Sequence, residues 1–560
     1  MTGSAGTRGV SPVPAVSVLC YSKSVPRIRF LNSITFRQHV LPEFVLIAFD
    51  MKGRDIMSKL TELQYLGLPP GKQKLYNIGQ FFVRLPGNLL NFLKKIPLGI
   101  WKFLCMTGRF FRDIGVIFAE GDWKTRLSFF IMGFGQFFRR QVGRGIIFLL
   151  MEGLFIWFMV SFGGGYLYGL KDLGTQATVK TLNEWGLEIV EYKDNSLKIL
   201  LYGVLTIFII IGFIFTWVIN VKQNGLAQKL IEKGIRPKGF KDDVKSLADE
   251  QYYKTLLAVP LLGIVVFTVI PIFFMILIAF TNYDYSHLPP DKLFGWVGLQ
   301  NFQTVLSMDA SGSSKFSYTF REILIWTMIW ALVATFSNYF LGMFVAICIN
   351  RKGIKFKKVF RTLLIMTIAV PQFVSLLLVS KMFADEGIIN SVLLSLGWIT
   401  EKIRFWTSAD MAKVMVLVVN LWVGIPYLML IATGVLMNIP SDLYESAKID
   451  GASGIKQFTK ITLPYMLFVT GPYLLTSFTG NINNFNVIYL LTGGAPKTID
   501  YAGAAGYTDL LITWLYTLTI TNNDYKIAAV IGILVFVVVA VISLIVYNVS
   551  PAMKNEEDFQ

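Results

Sequence analysis

The stretch Asn438–Met466, NIPSDLYESAKIDGASGIKQFTKITLPYM, lies between two long apolar runs. Pro440 ends the run before it. Ser441 or Asp442 can cap a short helix over about 442–450, with Leu443, Tyr444 and Ala447 near one face. Gly451 can take the positive φ that turns the chain. Ser453 can cap a second short helix, and Leu463-Pro464 marks entry into the next apolar run. The reading is a charged elbow set between two membrane spans. A bland alternative is an ordinary surface loop helix.

The rest of the chain says which side of the membrane holds the elbow. The chain has 560 residues, 54% hydrophobic and only 16% charged, against roughly 25% charged in a soluble domain. Eight runs reach the roughly 20 apolar residues that a span needs: about 144–166, 197–219, 255–280, 322–349, 360–381, 411–437, 464–490 and 525–548. The seventh is the weakest, because Thr476–Phe485, TSFTGNINNF, interrupts it. The expected class is therefore an all-α polytopic membrane protein with eight transmembrane helices.

Basic loops face the cytoplasm. The loop 220–254 carries Lys222, Lys229, Lys233, Lys238, Lys241 and Lys245, and the loop 350–361 carries six cations and no acid. The loops 167–196, 281–321, 382–410 and 491–524 hold few basic residues and fall outside. Both termini and the elbow are then cytoplasmic. The net charge of +17 reads as a cationic surface facing anionic lipid, not as nucleic-acid binding.

Residues 1–56 lack the features of a signal peptide. They read as an upstream extension, with a natural start at Met57. Residues 57–143 mix Phe, Leu and Trp with regular Lys and Arg, which fits a basic amphipathic segment at the membrane interface. Two spans at 144–250 precede six at 251–550, and 551–560 is a tail.

The three cysteines, Cys20, Cys105 and Cys348, form no CxxC, and the two histidines, His39 and His287, lie far apart. No metal or cofactor is expected. The nearest approach to a phosphate loop, Gly67–Gln73, has the wrong spacing and no Ser/Thr after its Lys. The chain is expected to be non-catalytic, with ATP hydrolysis left to another subunit. Spans three to eight hold almost no ionisable residue, which argues against an ion-coupled carrier. Glu152 in the first span is the exception, read as hydrogen-bonded to a neighbouring helix, or protonated, rather than as a coupling residue.

Neutral polar groups interrupt the later spans instead. Span six contains Gly424, Pro426 and Tyr427. Span seven contains Ser477, Gly480, Asn481 and Asn484, with Ser477, Asn481 and Asn484 at helical spacing on one face. Hydroxyls and amides both donate and accept hydrogen bonds, as a neutral polyhydroxylated ligand requires. The same groups also serve to hold helices together inside a bundle. Pattern alone leaves both readings open.

Glu445, Ala447, Asp450, Gly451, Ala452, Ile461, Leu463 and Pro464 match the EAA loop of ABC importer permeases, with Ser446 in place of the first Ala. Asn484–Pro496, NFNVIYLLTGGAP, and Ala505–Tyr516, AGYTDLLITWLY, narrow the likeness. From about Met57 onward the chain resembles MalF-type permeases of maltose/maltodextrin importers. That resemblance implies a six-helix permease core plus two peripheral N-terminal helices. It implies that Tyr444, Glu445, Ala447, Asp450, Gly451 and Ala452 couple to the ATPase. It implies sugar contacts at Gly424, Tyr427, Ser477, Gly480, Asn481 and Asn484, although Gly480 departs from the family, where an aromatic is common. The implied partners are a second homologous permease, two copies of an ABC ATPase, an extracellular sugar-binding lipoprotein and the bilayer of a bacterial cell membrane. The loop 281–321 is short beside the folded insertion of enteric members, as in the version from a bacterium lacking an outer membrane. Another oligosaccharide or glycerol-phosphate is the competing substrate class. An ion-coupled sugar carrier and a membrane scaffold are the competing functions.

Overall fold

A computed structural model describes Lys102 and residues 105–549, apart from 183, 184, 186, 187, 192, 308–314 and 352. The extension at 1–56, the start at Met57, most of the basic segment and the tail at 551–560 lie outside the described residues.

The helices follow the apolar runs. They are α1 Val142–Gly169, α2 Ser196–Glu232, α3 Tyr252–Ile278 and α4 Lys315–Asn350, then the pair α5 Lys357–Ala369 and α6 Gln372–Met382. After these come α7 Ala409–Met437, α8 Ser441–Ile449, α9 Leu463–Ile482, α10 Phe485–Leu491, α11 Leu511–Thr521 and α12 Tyr525–Val549. Among the described residues, seven helices are long and apolar enough to cross a membrane, or eight if α5 and α6 count as one span.

Three departures from the sequence reading have physical causes. The fifth run is not one straight helix: α5 and α6 are bent by 91° at the break. Pro371 forces its predecessor out of the helical region, and Val370 sits at ψ 127°. The expected basic loop at 220 begins as helix, because α2 runs on to Glu232. A local hairpin, β1 Val179–Leu182 paired antiparallel with β2 Glu188–Glu191, lies between α1 and α2.

Close packing of α4 on α7 makes the centre. A β-carbon on Gly342 would lie 2.6 Å from Leu428, and one on Gly424 would lie 2.7 Å from the Asn338 amide. Small residues at these crossings let the backbones approach. Tyr339, Met343, Ala346, Leu428, Met429 and Ala432 fill the contact together with Met466 of α9. A second core joins α12 to α3 and α11 through Ile278, Trp514, Ile527 and Val530.

Ahead of α1, the chain folds onto the C-terminal half of α2. The Arg139 guanidinium is buried there, 2.5 Å from Asp122, 2.7 Å from the Thr125 hydroxyl and 3.0 Å from Asn224. This cation of the basic segment thus serves packing instead of facing lipid. Glu152 accepts a hydrogen bond from the Met132 backbone N–H at 2.8 Å, which matches its reading as a hydrogen-bonded neighbour.

Candidate functional site

The elbow forms as a closed motif. Helix α8 begins after Pro440, which occupies the capping position without a side-chain bond. Neither Ser441 nor Asp442 caps the helix: Pro440 ends the preceding segment so close that Ser441 is already the first helical residue. At the other end Gly451 takes φ +73°. The Gly451 N–H donates to Lys448 O at 3.0 Å, and the Ala452 N–H donates to Ala447 O at 2.8 Å. That pair of bonds is a Schellman closure, which satisfies the last carbonyls of α8. Ser453 caps the next short helix by accepting from the Lys456 N–H.

Two braces tie the elbow to its own chain. The Tyr444 hydroxyl is 2.8 Å from that of Thr462, and Gln457 Nε2 donates to Ala452 O at 2.9 Å. Pro464 has no N–H to offer the preceding turn, and the helix widens to π geometry over Phe458–Thr462 before α9 begins. Tyr444, Ala447 and Ala452 are half-buried, whereas Glu445, Asp450 and Gly451 are exposed. Ile449 and Ile455 leave 86% and 79% of their surface uncovered at the tip.

The polar face of α9 makes the interhelical bonds that one of the two sequence readings expects. Asn481 Nδ2 donates to the buried Thr335 hydroxyl of α4 at 2.9 Å, and the Asn481 carbonyl accepts from Trp330 Nε1 at 3.1 Å. Asn484 Nδ2 donates to Asn481 Oδ1 at 3.3 Å, and Asn484 Oδ1 caps α10 by accepting from the Val487 N–H. Part of this amide set therefore joins helices. Ser477 is half-buried, Gly480 is exposed with nothing within 4 Å of a β-carbon position, and Tyr427 is exposed on α7. Gly424 is placed by packing against Asn338.

Tyr473 was missed in the sequence, although it precedes Ser477 by one turn. Its side chain stands near those of Ser477 and Tyr427. Thr335 was missed as well, and only contact between helices reveals it. A Tyr339–Thr470 hydroxyl pair at 2.8 Å ties α4 to α9 below this level. The arrangement offers amides and hydroxyls on two neighbouring helices with no charge among them.

The loop between α10 and α11 is pinned by Asp509. Its carboxylate accepts from the Gly506 N–H at 2.8 Å and the Thr513 hydroxyl at 2.8 Å, and lies 3.2 Å from Lys497 Nζ. Burial pushes this carboxyl up from its ordinary value, against the pull of Lys497. Among the described residues no group of three or more His, Cys, Asp or Glu could hold a metal ion.

Residues 338–555 match the family described as binding-protein-dependent transport system inner membrane component. The maltodextrin transport system permease protein MdxF of Bacillus subtilis is 34% identical over 450 residues, covering 78% of this chain and 97% of that protein. The galactooligosaccharides transport system permease protein GanP of the same organism is 35% identical over 428 residues, covering 76% of this chain and 97% of its own length. The maltose/maltodextrin transport system permease protein MalF of Vibrio parahaemolyticus is 36% identical over 263 residues, 46% of this chain and 49% of that protein. With a membrane-spanning helical core, a closed elbow before α9 and 34–35% identity over 97% of the length of two such permeases, this chain belongs to the family of binding-protein-dependent transport system inner membrane components.

Proposed function

We propose that this chain conducts a neutral oligosaccharide of the maltodextrin class through the bacterial cell membrane, as one permease subunit of an ATP-driven importer. The carrying observation is the uncharged set Tyr427, Ser477, Asn481 and Asn484, in a chain whose near full-length relatives are named for maltodextrin and galactooligosaccharide transport. Gly480 leaves room beside these groups. Galactooligosaccharides are the second reading, because GanP matches as well as MdxF does. Glycerol-phosphate fits poorly, since no cation stands beside Ser477, Asn481 or Asn484 on α7 or α9.

Energy enters at the elbow. Tyr444, Glu445, Ala447, Asp450, Gly451 and Ala452 dock on a separate ATPase, two copies of which serve this chain and a second permease. The exposed Ile449 and Ile455 and the rigid Schellman turn support that role. A binding protein delivers sugar from outside, both termini lie in the cytoplasm, and residues 251–550 form the permease core behind two peripheral helices.

The test is ATP hydrolysis by the reconstituted complex with its binding protein. Maltotriose or a galactooligosaccharide should raise the rate severalfold. A complex stimulated by no neutral sugar would sink the reading.

A further inference from the structure

A second cluster of sugar-binding chemistry stands at the outer end of the helices. Lys413, in the second turn of α7, is half-buried. Its Nζ lies 5.0 Å from the Trp326 ring centroid and 5.8 Å from that of Tyr507. Among the described residues it makes no ion pair, so the donors not facing the rings remain for another acceptor. Tyr501 is 5.3 Å from Tyr507 and 6.0 Å from Tyr318, centroid to centroid. The Arg321 guanidinium sits 5.5 Å from the Tyr318 ring centroid and 3.3 Å from Glu322. Tyr318 is 45% exposed.

Two cations, Lys413 and Arg321, are balanced by Glu322 and Asp500, which both bear on Tyr501. A patch built to dock an acidic protein would carry an excess of cations. Aromatic rings with donors and acceptors in balance suit a neutral polyhydroxylated molecule instead: rings meet its C–H faces and polar groups its hydroxyls. Burial, with Glu322 and the neighbouring tyrosines, pushes Tyr501 up to about 12, so its hydroxyl keeps its proton. The cluster is also in line with the inner site. Lys413 precedes Tyr427 by fourteen residues on the unbroken helix α7, about 21 Å and nearly four turns, which returns it to the same side. Trp326 donates through Nε1 to Thr508 O, and one turn further along α4 Trp330 holds the Asn481 carbonyl.

We infer that Lys413, Tyr318, Tyr501 and Tyr507 form an outer saccharide subsite, where an oligosaccharide is held before it reaches Tyr427 and Asn481. This inference rests on the sugar reading above.

The experiment measures maltotriose uptake into proteoliposomes holding the complete complex, with its binding protein, per mole of assembled complex. Lys413→Gln and Tyr318→Ala should each lower uptake at limiting sugar at least fivefold, and Lys413→Arg should keep more than half. Affinity of the sugar-free binding protein for the complex should change less than twofold in every variant. Wild-type uptake by both Lys413→Gln and Tyr318→Ala would overturn the subsite. So would a loss of binding-protein affinity that parallels the loss of uptake, which would make the cluster a protein-docking face. If the wild-type complex carries no neutral sugar, the sugar reading fails and the subsite with it. If uptake by the wild type is normal and Asn481→Ala is impaired while Lys413→Gln is not, only the subsite fails.

Discussion

Gly451 shows how a single residue can be read on backbone and charge separately. It is held at φ +73° with nothing within 4 Å of a β-carbon position. Asn and Asp both tolerate that region better than other side chains. Gly451→Asn should therefore cost under about 1 kcal/mol of stability and leave most coupling intact. Gly451→Asp should fold as well, yet lose sugar-stimulated ATP hydrolysis at least tenfold, because a carboxylate enters the docking turn. Equal coupling in the two variants would mean that nothing docks closely there. Asn481 allows a similar separation. Asn481→Ala and Thr335→Val delete the same interhelical hydrogen bond, worth about 1 kcal/mol. If Asn481 also meets sugar, its variant should lose uptake about tenfold and Thr335→Val less than threefold. Matching losses in uptake and melting temperature would return Asn481 to a purely structural role.

At the scale of the element, α8 was legible because its signals are local. Gly451 and Ser453 act within a turn of their own position, and both perform as the sequence suggests. The helix start was misread because Pro440 displaced the capping side chains by one place. The bend between α5 and α6 was invisible to a window that sums hydropathy, although Pro371 was in plain view. The Tyr444–Thr462 bond had no local signal, since it joins α8 to the turn that leads into α9 across eighteen residues. Tyr444→Phe removes that brace and should cost about 1 kcal/mol. The ATPase should still assemble with the variant, while sugar stimulation of hydrolysis falls two- to fivefold. Unaltered stimulation would show that the elbow needs no such tether.

Across the whole molecule, distant parts of the chain are clasped together by Asp284, just beyond α3, and Lys526 at the start of α12. Their side chains meet at 2.5 Å, and His287 Nδ1 lies 2.8 Å from the other Asp284 oxygen. Burial alone would raise the Asp284 carboxyl, but the bonds from Lys526 and His287 hold it below its ordinary value. A depressed acid adds stability that is present above the unfolded value near 3.8 and is lost as pH falls through the lower folded value. Asp284→Asn should thus lower the melting temperature at pH 7 and flatten its decline in that acid window. A variant melting like the wild type at pH 7 would remove the clasp from the stability of the fold. Topology of this range, 242 residues apart in the chain, had no signature in the sequence, whereas the count of spans did. The uncharged character of the Ser477–Asn481–Asn484 face has a consequence of a different kind. On the proposed reading, a neutral cargo crossing beside this face carries no current, and the membrane potential, worth about 2.3 kcal/mol per charge per 100 mV, does no work on that step. Uptake at fixed ATP should keep the same rate whether the membrane is polarised or short-circuited, leaving the cell free to feed even when its ion gradients have run down.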